Sequence, residues 1–451
     1  MPDAWSGRTG FILATIGSAV GIGSVWKFPY ELGANGGSAF LLFYLLGLAA
    51  IVVPLLFAEF AIGRLGGADP SGSLARVAAA AGADPRWRHV GTFGVVTGFL
   101  ILSFYAVIGG WTLGYSLRTL AAGLPDTAAA ATARFDAFLA DPGSMLAYHA
   151  AFMMATALIV LRGVSGGIET ASKVLMPCLV VLMLGLVAYS GLTGDLAAAL
   201  DFLFRPDPAR MSAGSVIDAV GLGFFSIGVG MCLMVTYAAY SGREISLTQV
   251  AIVSVVADTV ISLLAGLAVF PVVFAHGLDP AGGPGLVFVT LQLAFRPMPM
   301  GTIAAGAFFL LVFVAALASA ISLLEIVVAM LTRRLGWTRR RATTVAALAC
   351  YAGGIPTALS FNLWAGWHPF AWLPGLERAG VFEIVDRLTS EVMLPAGGFA
   401  VAVFAGWRIP ADALALALGL SPRGARWLRA MLRWVAPGGI GLAAITPLLT
   451  G

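Results

Sequence analysis

The chain has 451 residues, 59% of them hydrophobic and 11% charged, with 26 Lys and Arg against 22 Asp and Glu for a net charge of +4. A mean hydropathy of +0.94 excludes an ordinary soluble domain. The excess of basic residues is small and falls in short connections between apolar runs, which excludes a nucleic-acid-binding surface.

A helix needs about 20 apolar residues to cross a bilayer. Such runs are predicted at 10–30, 39–63, 91–121, 145–161, 170–191, 213–240, 246–275, 300–332, 342–360, 381–407 and 430–448. The expectation is an all-α integral membrane protein of about 11 transmembrane helices, forming one domain over residues 1–451. The first run has an unusual middle, Gly17-Ser18-Ala19-Val20-Gly21-Ile22-Gly23-Ser24, whose glycines and small residues favour an irregular backbone. Inside a bilayer such backbone is tolerated only where protein buries it or where it lines a wet cavity. Trp26-Lys27-Phe28-Pro29 follows with no cleavage pattern, so the run is read as retained rather than as a signal peptide.

Further along, Pro54, Pro177 and Pro395 fall inside apolar runs and should kink them. The stretches 122–144 and 192–212 read as connections on one side, and the Ala-rich stretches at 77–83 and 128–133 as helical filler. A second interrupted middle, Phe224-Phe225-Ser226-Ile227-Gly228-Val229-Gly230-Met231, lies in the sixth run. Paired interrupted segments at corresponding positions predict two five-helix inverted repeats, approximately 9–191 and 213–407, with broken helices 1 and 6 and an extra C-terminal helix at approximately 430–448. The loop 276–300 carries Gly282-Gly283-Pro284-Gly285 and then a short apolar piece placed to fold back as a lid. Lys and Arg concentrate on one set of connections, which places the N-terminus in the cytoplasm.

A broken helix offers unpaired N–H groups at the start of its second half and unpaired carbonyls at the end of its first. The N–H groups of Ile22 and Gly23 suit an anion. The carbonyls of Gly17, Ala19 and Val20 suit a hard cation such as sodium, and a zwitterion matches both ends at once. The competing reading is close helix packing on small residues. Cys178, Cys232 and Cys350 show neither disulfide nor metal-ligand spacing, and His89, His149, His276 and His368 are scattered. No Walker loop, HExxH or nucleophile elbow is present, so no enzyme is expected.

Gly17-Ser-Ala-Val-Gly-Ile-Gly-Ser-Val-Trp-Lys-Phe-Pro-Tyr30, Asn35-Gly-Gly-Ser-Ala-Phe40 and Glu59-Phe-Ala-Ile-Gly-Arg64 resemble the neurotransmitter:sodium symporter family, bacterial eleven-span type. Trp111-Thr-Leu-Gly114, Gly163-Val-Ser-Gly-Gly-Ile-Glu169, Thr236-Tyr-Ala-Ala-Tyr240, Ser319-Ala-Ile-Ser-Leu-Leu-Glu325, Phe382-Glu-Ile-Val-Asp386 and Leu394-Pro-Ala-Gly-Gly398 extend the likeness along nearly the whole chain. The resemblance implies a sodium-coupled secondary active symporter in the plasma membrane. It would import a neutral, hydrophobic amino acid by alternating access, its partners being that substrate and the lipid bilayer and no nucleic acid, with the oligomeric state left open. Two alternatives are a proton-coupled or sodium-independent amino-acid or amine transporter of the same fold, and a sensor that binds without transporting.

The resemblance also assigns residues. Ile22, Gly23 and Tyr105 would meet the substrate carboxylate, and the carbonyls of Ala19, Phe225 and Ser226 its amino group. Phe225 would be the lid, and Ile101, Gly228, Met231, Ser319 and Leu323 the side-chain pocket. Gly228 stands where a leucine-transporting member has serine, implying a roomier pocket. A first sodium site would use Ala19, Ser24, Ser226 and Asp258, with Ser24 in place of the usual Asn. A second would use Gly17, Val20, Ala315 and Ser319, with Ala318 in place of a threonine hydroxyl. Asp258 is an acid within an apolar run, which is costly and functional as a rule. Its charge, together with Leu222 beside Tyr44 and Ser262 at the chloride positions, implies chloride independence. Lys27 would face Asp386 as an outer gate, and Trp5 belongs to the inner one, where Asp3 with Arg333 or Arg334 would form a charge-reversed pair. Glu59 would accept N–H groups from the broken sixth helix, Gly167 to Pro177 keeps a spacing that lets the fifth unwind, and Glu325 has no assigned role.

Overall fold

A computed structural model describes residues 4–205, 213–278, 280, 286–373 and 375–450. Among these residues there are helices and turns and no strand, as a chain that must satisfy its backbone without water requires. Segment 1 is split into Arg8–Ala19 and Gly23–Ala34, bent by 49°. Segments 2 to 5 are Ser38–Gly66, Pro85–Ala122, Pro142–Leu161 and Val164–Thr193. Segment 6 comprises Ala213–Ile227 and Leu233–Ala239. Segments 7 to 10 are Leu247–Ala275, Gly301–Leu335, Arg339–Leu359 and Val381–Arg408. Segment 11 runs through Pro422–Ala430, Met431–Val435 and Ala436–Thr450.

Eight of these helices are long and apolar enough to cross a membrane, or nine with the bent pair of segment 1 taken as one. Segment 6 is not among them, its described halves Ala213–Ile227 and Leu233–Ala239 being 15 and 7 residues long. The connections also contain helices, Ala128–Leu139 and Leu196–Phe204, each opened by an acceptor side chain at its N-cap, Thr127 and Asp195 respectively.

The helix Arg88–Ala122 within segment 3 and segment 8 itself are 35 residues each, roughly 52 Å at 1.5 Å per residue, and they lie against one another. Their contact is close. Ser116 donates to the Gly306 carbonyl at 3.1 Å, and any side chain at Gly98 would run into Ile326. This pair forms one wall against which the two broken segments rest.

The break in segment 6 is fixed by backbone geometry. Gly228 and Gly230 have φ of 74° and 94°, and Cys232 has φ of 57°, values at which L side chains are strained. The exposed N–H groups of the break are taken by Glu59 of segment 2. Its carboxylate accepts Gly230 N–H at 2.8 Å and Met234 N–H at 3.2 Å, so the irregular backbone has a charged partner rather than lipid.

The described part of the connection after segment 7 folds back. Leu286–Thr290 and Leu291–Phe295 are helical. Phe288 is fully buried, with ring centroids 5.6 Å from Trp26, 6.0 Å from Trp111, 5.0 Å from Tyr115 and 5.3 Å from Phe135. The expected lid piece therefore packs over segments 1 and 3. Gly282-Gly283-Pro284-Gly285 lies outside the described residues.

Candidate functional site

Where segments 1 and 6 both leave the helix, they face segments 3 and 8 across a narrow cavity of about 30 Å³. Its lining includes Ala19, Ile22, Gly23, Ile101, Tyr105, Phe225, Ser226, Gly228, Met231, Ser319 and Leu323, which are all eleven residues expected at a substrate site. Ser18, Gly21 and Leu233 complete it. Sequence reasoning did not single these out, although Ser18 and Gly21 fall within the first glycine-rich break and Leu233 restarts segment 6 after the second.

The polar end of the cavity is built from backbone. Ile22 N–H, at the start of the second half of segment 1, donates to the Tyr105 hydroxyl at 3.1 Å. Gly21 is needed here because a Cβ in its place would lie 2.5 Å from Ser319 Oγ and 2.8 Å from Tyr105 Oη. The other end is apolar. A Cβ at Gly228 would meet Met231 Cε at 3.2 Å, so Met231 occupies the space that the missing side chain leaves.

Beside the cavity lies a fully buried carboxylate ringed by hydroxyls. Ser226 Oγ is 3.0 Å from both oxygens of Asp258 and 3.0 Å from Ser24 Oγ. Ser24 Oγ also donates to Asp258 Oδ1. Tyr44, expected at a chloride position, instead donates to Asp258 Oδ2 at 3.2 Å. Leu222, also at that position, is a buried apolar side chain. An ionised carboxylate with three hydroxyls is a hard oxygen set of net charge −1, the chemistry of a small monovalent cation.

A second oxygen set lies under the first break. Ser319 Oγ is 3.3 Å from the Gly17 and Ser18 carbonyls and 3.2 Å from that of Val20. One hydroxyl proton serves only one carbonyl at a time, so this group holds more acceptors than donors, again a cation's setting. Ala315 is buried on the same helix as Ser319. A Cβ built at Gly17 would be 3.4 Å from Ala318 Cβ and 3.2 Å from Met176 Cε. A methyl group therefore stands where a hydroxyl was usual, and Met176 of segment 5, not anticipated from sequence, covers the side of this set.

The gate residues are arranged differently from expectation in one case. Lys27 Nζ sits 4.9 Å from the centroid of the Phe225 ring, and Asp386 accepts from Ser390 Oγ at 3.0 Å. The Lys27–Asp386 pair is corrected accordingly: no ion pair joins them within 4.0 Å among the described residues. Lys27 lies instead against the aromatic face, with Glu31, Asp218 and Glu391 as the carboxylates near enough to act on its charge. At the other end, Trp5 donates from Nε1 to the Tyr237 carbonyl at 3.0 Å and packs edge-on to its ring. Asp3 lies outside the described residues. Arg333 donates to the Gly67 carbonyl at 3.1 Å, and Arg334 lies 3.5 Å from Asp69. Glu325, unassigned from sequence, is buried, paired with Arg339 at 2.5 Å and accepts from the Tyr240 hydroxyl at 3.1 Å.

The sequence profile of the Sodium:neurotransmitter symporter family matches residues 2–136 and 131–373. A relative from Bacillus subtilis (strain 168), "Uncharacterized sodium-dependent transporter YhdH", is 35% identical over 406 residues, covering 89% of this chain and 87% of that protein. An "Uncharacterized sodium-dependent transporter" of Haemophilus influenzae is 28% identical over 420 residues, covering 91% of this chain and 90% of its own. The crystal structure of MhsT in complex with L-phenylalanine aligns with a TM-score of 0.89 at 39% identity, over 98% of this chain and 100% of that one.

Proposed function

The chain belongs to the sodium:neurotransmitter symporter family, and from that premise we propose that it is a sodium-coupled secondary active symporter importing a neutral, hydrophobic amino acid. The observation that carries the reading is the single cavity where two broken helices, Tyr105 and two oxygen sets meet. An amino-acid carboxylate is drawn to the N–H groups of Ile22 and Gly23 and to the Tyr105 hydroxyl, at the positive end of a half-helix. Its ammonium is drawn to the carbonyls of Ala19, Phe225 and Ser226. Ile101, Gly228, Met231 and Leu323 leave no charged group for a side chain to pair with, which favours a neutral apolar one. The phenylalanine held by MhsT supports the same substrate class.

Sodium is cargo in this scheme. The first ion takes the Ala19 carbonyl, Ser24, Ser226 and Asp258, and the second the carbonyls of Gly17, Val20 and Ala315 with the Ser319 hydroxyl. Ala19 and Ser226 serve ion and substrate together, so each ligand lowers the cost of ordering the shared backbone for the other. Asp258 already supplies the negative charge beside the first ion, so chloride has no role to fill. Alternating access follows from closures at the two ends. Phe225 under Lys27, with the Phe288 piece above, closes one, and Trp5 against Tyr237 closes the other. The arginine-rich end, with the N-terminus, faces the cytoplasm in the plasma membrane, and the eleven segments form two inverted repeats plus segment 11.

The test is a thermal-shift screen of neutral, acidic and basic amino acids on purified protein in sodium, potassium and choline salts. Stabilisation by hydrophobic neutral amino acids in sodium alone is expected. Equal stabilisation in choline, or a response confined to charged amino acids, would overturn the reading.

A further inference from the structure

At the arginine-rich end, the last turn of segment 10 and the Met431–Val435 stretch of segment 11 meet backbone to backbone. A Cβ at Gly406 would lie 2.9 Å from Arg433 N and from the Leu432 carbonyl. Arg429 Nε donates to the Gly406 carbonyl at 3.1 Å. The contact brings Trp407 and Trp434 together with ring centroids 5.6 Å apart at 67°. The Arg433 guanidinium lies beside the pair, 5.4 Å from one ring and 5.9 Å from the other.

We propose that this indole pair, with Arg433 beside both rings and the exposed Arg408 next to Trp407 in the chain, binds the headgroup of an anionic phospholipid. Three observations point there. Arg433 Nε is buried and has no hydrogen-bond partner among the described residues, and a buried donor without an acceptor is costly. The charge is uncompensated: residues 395–451 contain five arginines and one acid, Asp412, and no ion pair involves those arginines among the described residues. The indole pair is also at lipid level. Trp434 and Trp427 are 67% and 57% exposed, at the point where the apolar run of segment 11 begins, and indoles favour the headgroup layer. Pro422–Ala430 turns Ala425 and Leu428 inward and leaves Arg423 and Arg426 exposed, the arrangement of a helix lying on a charged surface.

The chemistry selects a phosphate ester. A guanidinium held against two aromatic rings is fixed in orientation, and the planar fork of its terminal NH2 groups matches two phosphate oxygens at once. A zwitterionic headgroup brings its own cation to a cluster that has no carboxylate to receive it. An anionic one does not.

The experiment is native mass spectrometry of the full-length protein released from mixed phosphatidylglycerol and phosphatidylcholine nanodiscs. Phosphatidylglycerol should remain bound preferentially. Arg433→Gln should lower that retention about fivefold, and Arg408→Gln with Arg433→Gln about 25-fold, from the usual worth of a basic residue near an anionic surface. Arg340→Gln with Arg341→Gln, at the same end but away from the indole pair, should leave it unchanged. Equal loss in that control would reduce the effect to diffuse charge and overturn the proposal. So would equal retention of phosphatidylcholine, or displacement of the lipid by millimolar inorganic phosphate. If Arg433→Gln does not fold, the wild-type chain decides by tryptophan quenching. Brominated phosphatidylglycerol should quench more than brominated phosphatidylcholine, and the difference should vanish in Trp434→Phe. Equal quenching by both lipids refutes the site.

Discussion

Replacing Asp258 with Asn removes the only charge in the first oxygen set while keeping its shape. In the structure both carboxylate oxygens lie 3.0 Å from Ser226 Oγ, which donates to one of them at a time, while Oδ2 accepts from Tyr44 at 3.2 Å and Oδ1 from Ser24. An amide keeps one acceptor oxygen, and the hydroxyl facing its NH2 must rotate to accept instead of donate. Folding should survive, because hydroxyls are able to make that switch. Cation binding should not. Unit charges about 4 Å apart attract by about 4 kcal/mol at an effective dielectric constant of about 20. If half of this is cancelled by desolvating the ion, about 2 kcal/mol remains, a roughly thirtyfold rise in the sodium concentration for half-maximal uptake. The assay is amino-acid uptake into proteoliposomes against external sodium, with the pH gradient held at zero and then imposed. A half-maximal concentration within threefold of wild type would refute the assignment of Asp258 to the ion. Uptake driven by a pH gradient in the absence of sodium, and lost in Asp258→Asn, would move the coupling to protons.

Other perturbations test neighbouring parts of the site. Glu59→Gln leaves one of the Gly230 and Met234 N–H groups facing an NH2 group and should cost about 2 kcal/mol, read as a lower midpoint of thermal aggregation in detergent; an unchanged midpoint would remove Glu59 from its supporting role. Gly230→Ala combines a left-handed φ of 94° with a collision against the Leu394 carbonyl, and the folded fraction on size exclusion should fall more than for Gly221→Ala, where a Cβ meets nothing within 4 Å. Trp5→Ala deletes the bond to the Tyr237 carbonyl, and amide exchange within Leu233–Ala239 should quicken about tenfold for a loss of about 1.4 kcal/mol; unchanged exchange would mean that Trp5 does not hold that half-helix. Gly228→Ser places an atom against Met231 Cε at a φ of 74°, so the folded fraction should fall, and in the protein that folds the range of accepted amino acids should narrow toward smaller ones, measured by competition against uptake of one labelled substrate.

The two breaks were legible in the sequence because glycine clusters in apolar runs have few uses, and both breaks carry the cavity. Tyr105, Ile101 and Leu323 were legible only through the family likeness, since an apolar run gives no sign of which face of its helix looks at a site. Helix starts were less legible. Segment 5 begins at Val164 rather than near 170, because Gly163 turns at a φ of 87° into a wide first turn. Segment 11 begins at Pro422 rather than near 430, because Ser421 caps a stretch holding Arg423, Arg426 and Arg429 that hydropathy passes over. The Lys27–Phe225 contact was not legible at all. Which of a ring or a carboxylate an ammonium chooses depends on side-chain geometry that spacing does not encode.

Glu59 also sets an order on how the chain is made. Its first partner, Gly230, lies 171 residues downstream, roughly 9–34 s later at ordinary rates of synthesis. During that interval segment 2 holds an acid whose donors do not yet exist, and an unpaired acid in the hydrocarbon layer is costly. When the sixth segment arrives, its irregular backbone meets an acceptor already waiting. The break and its cap thus satisfy each other in one docking event, so an early segment is completed only when a late one arrives.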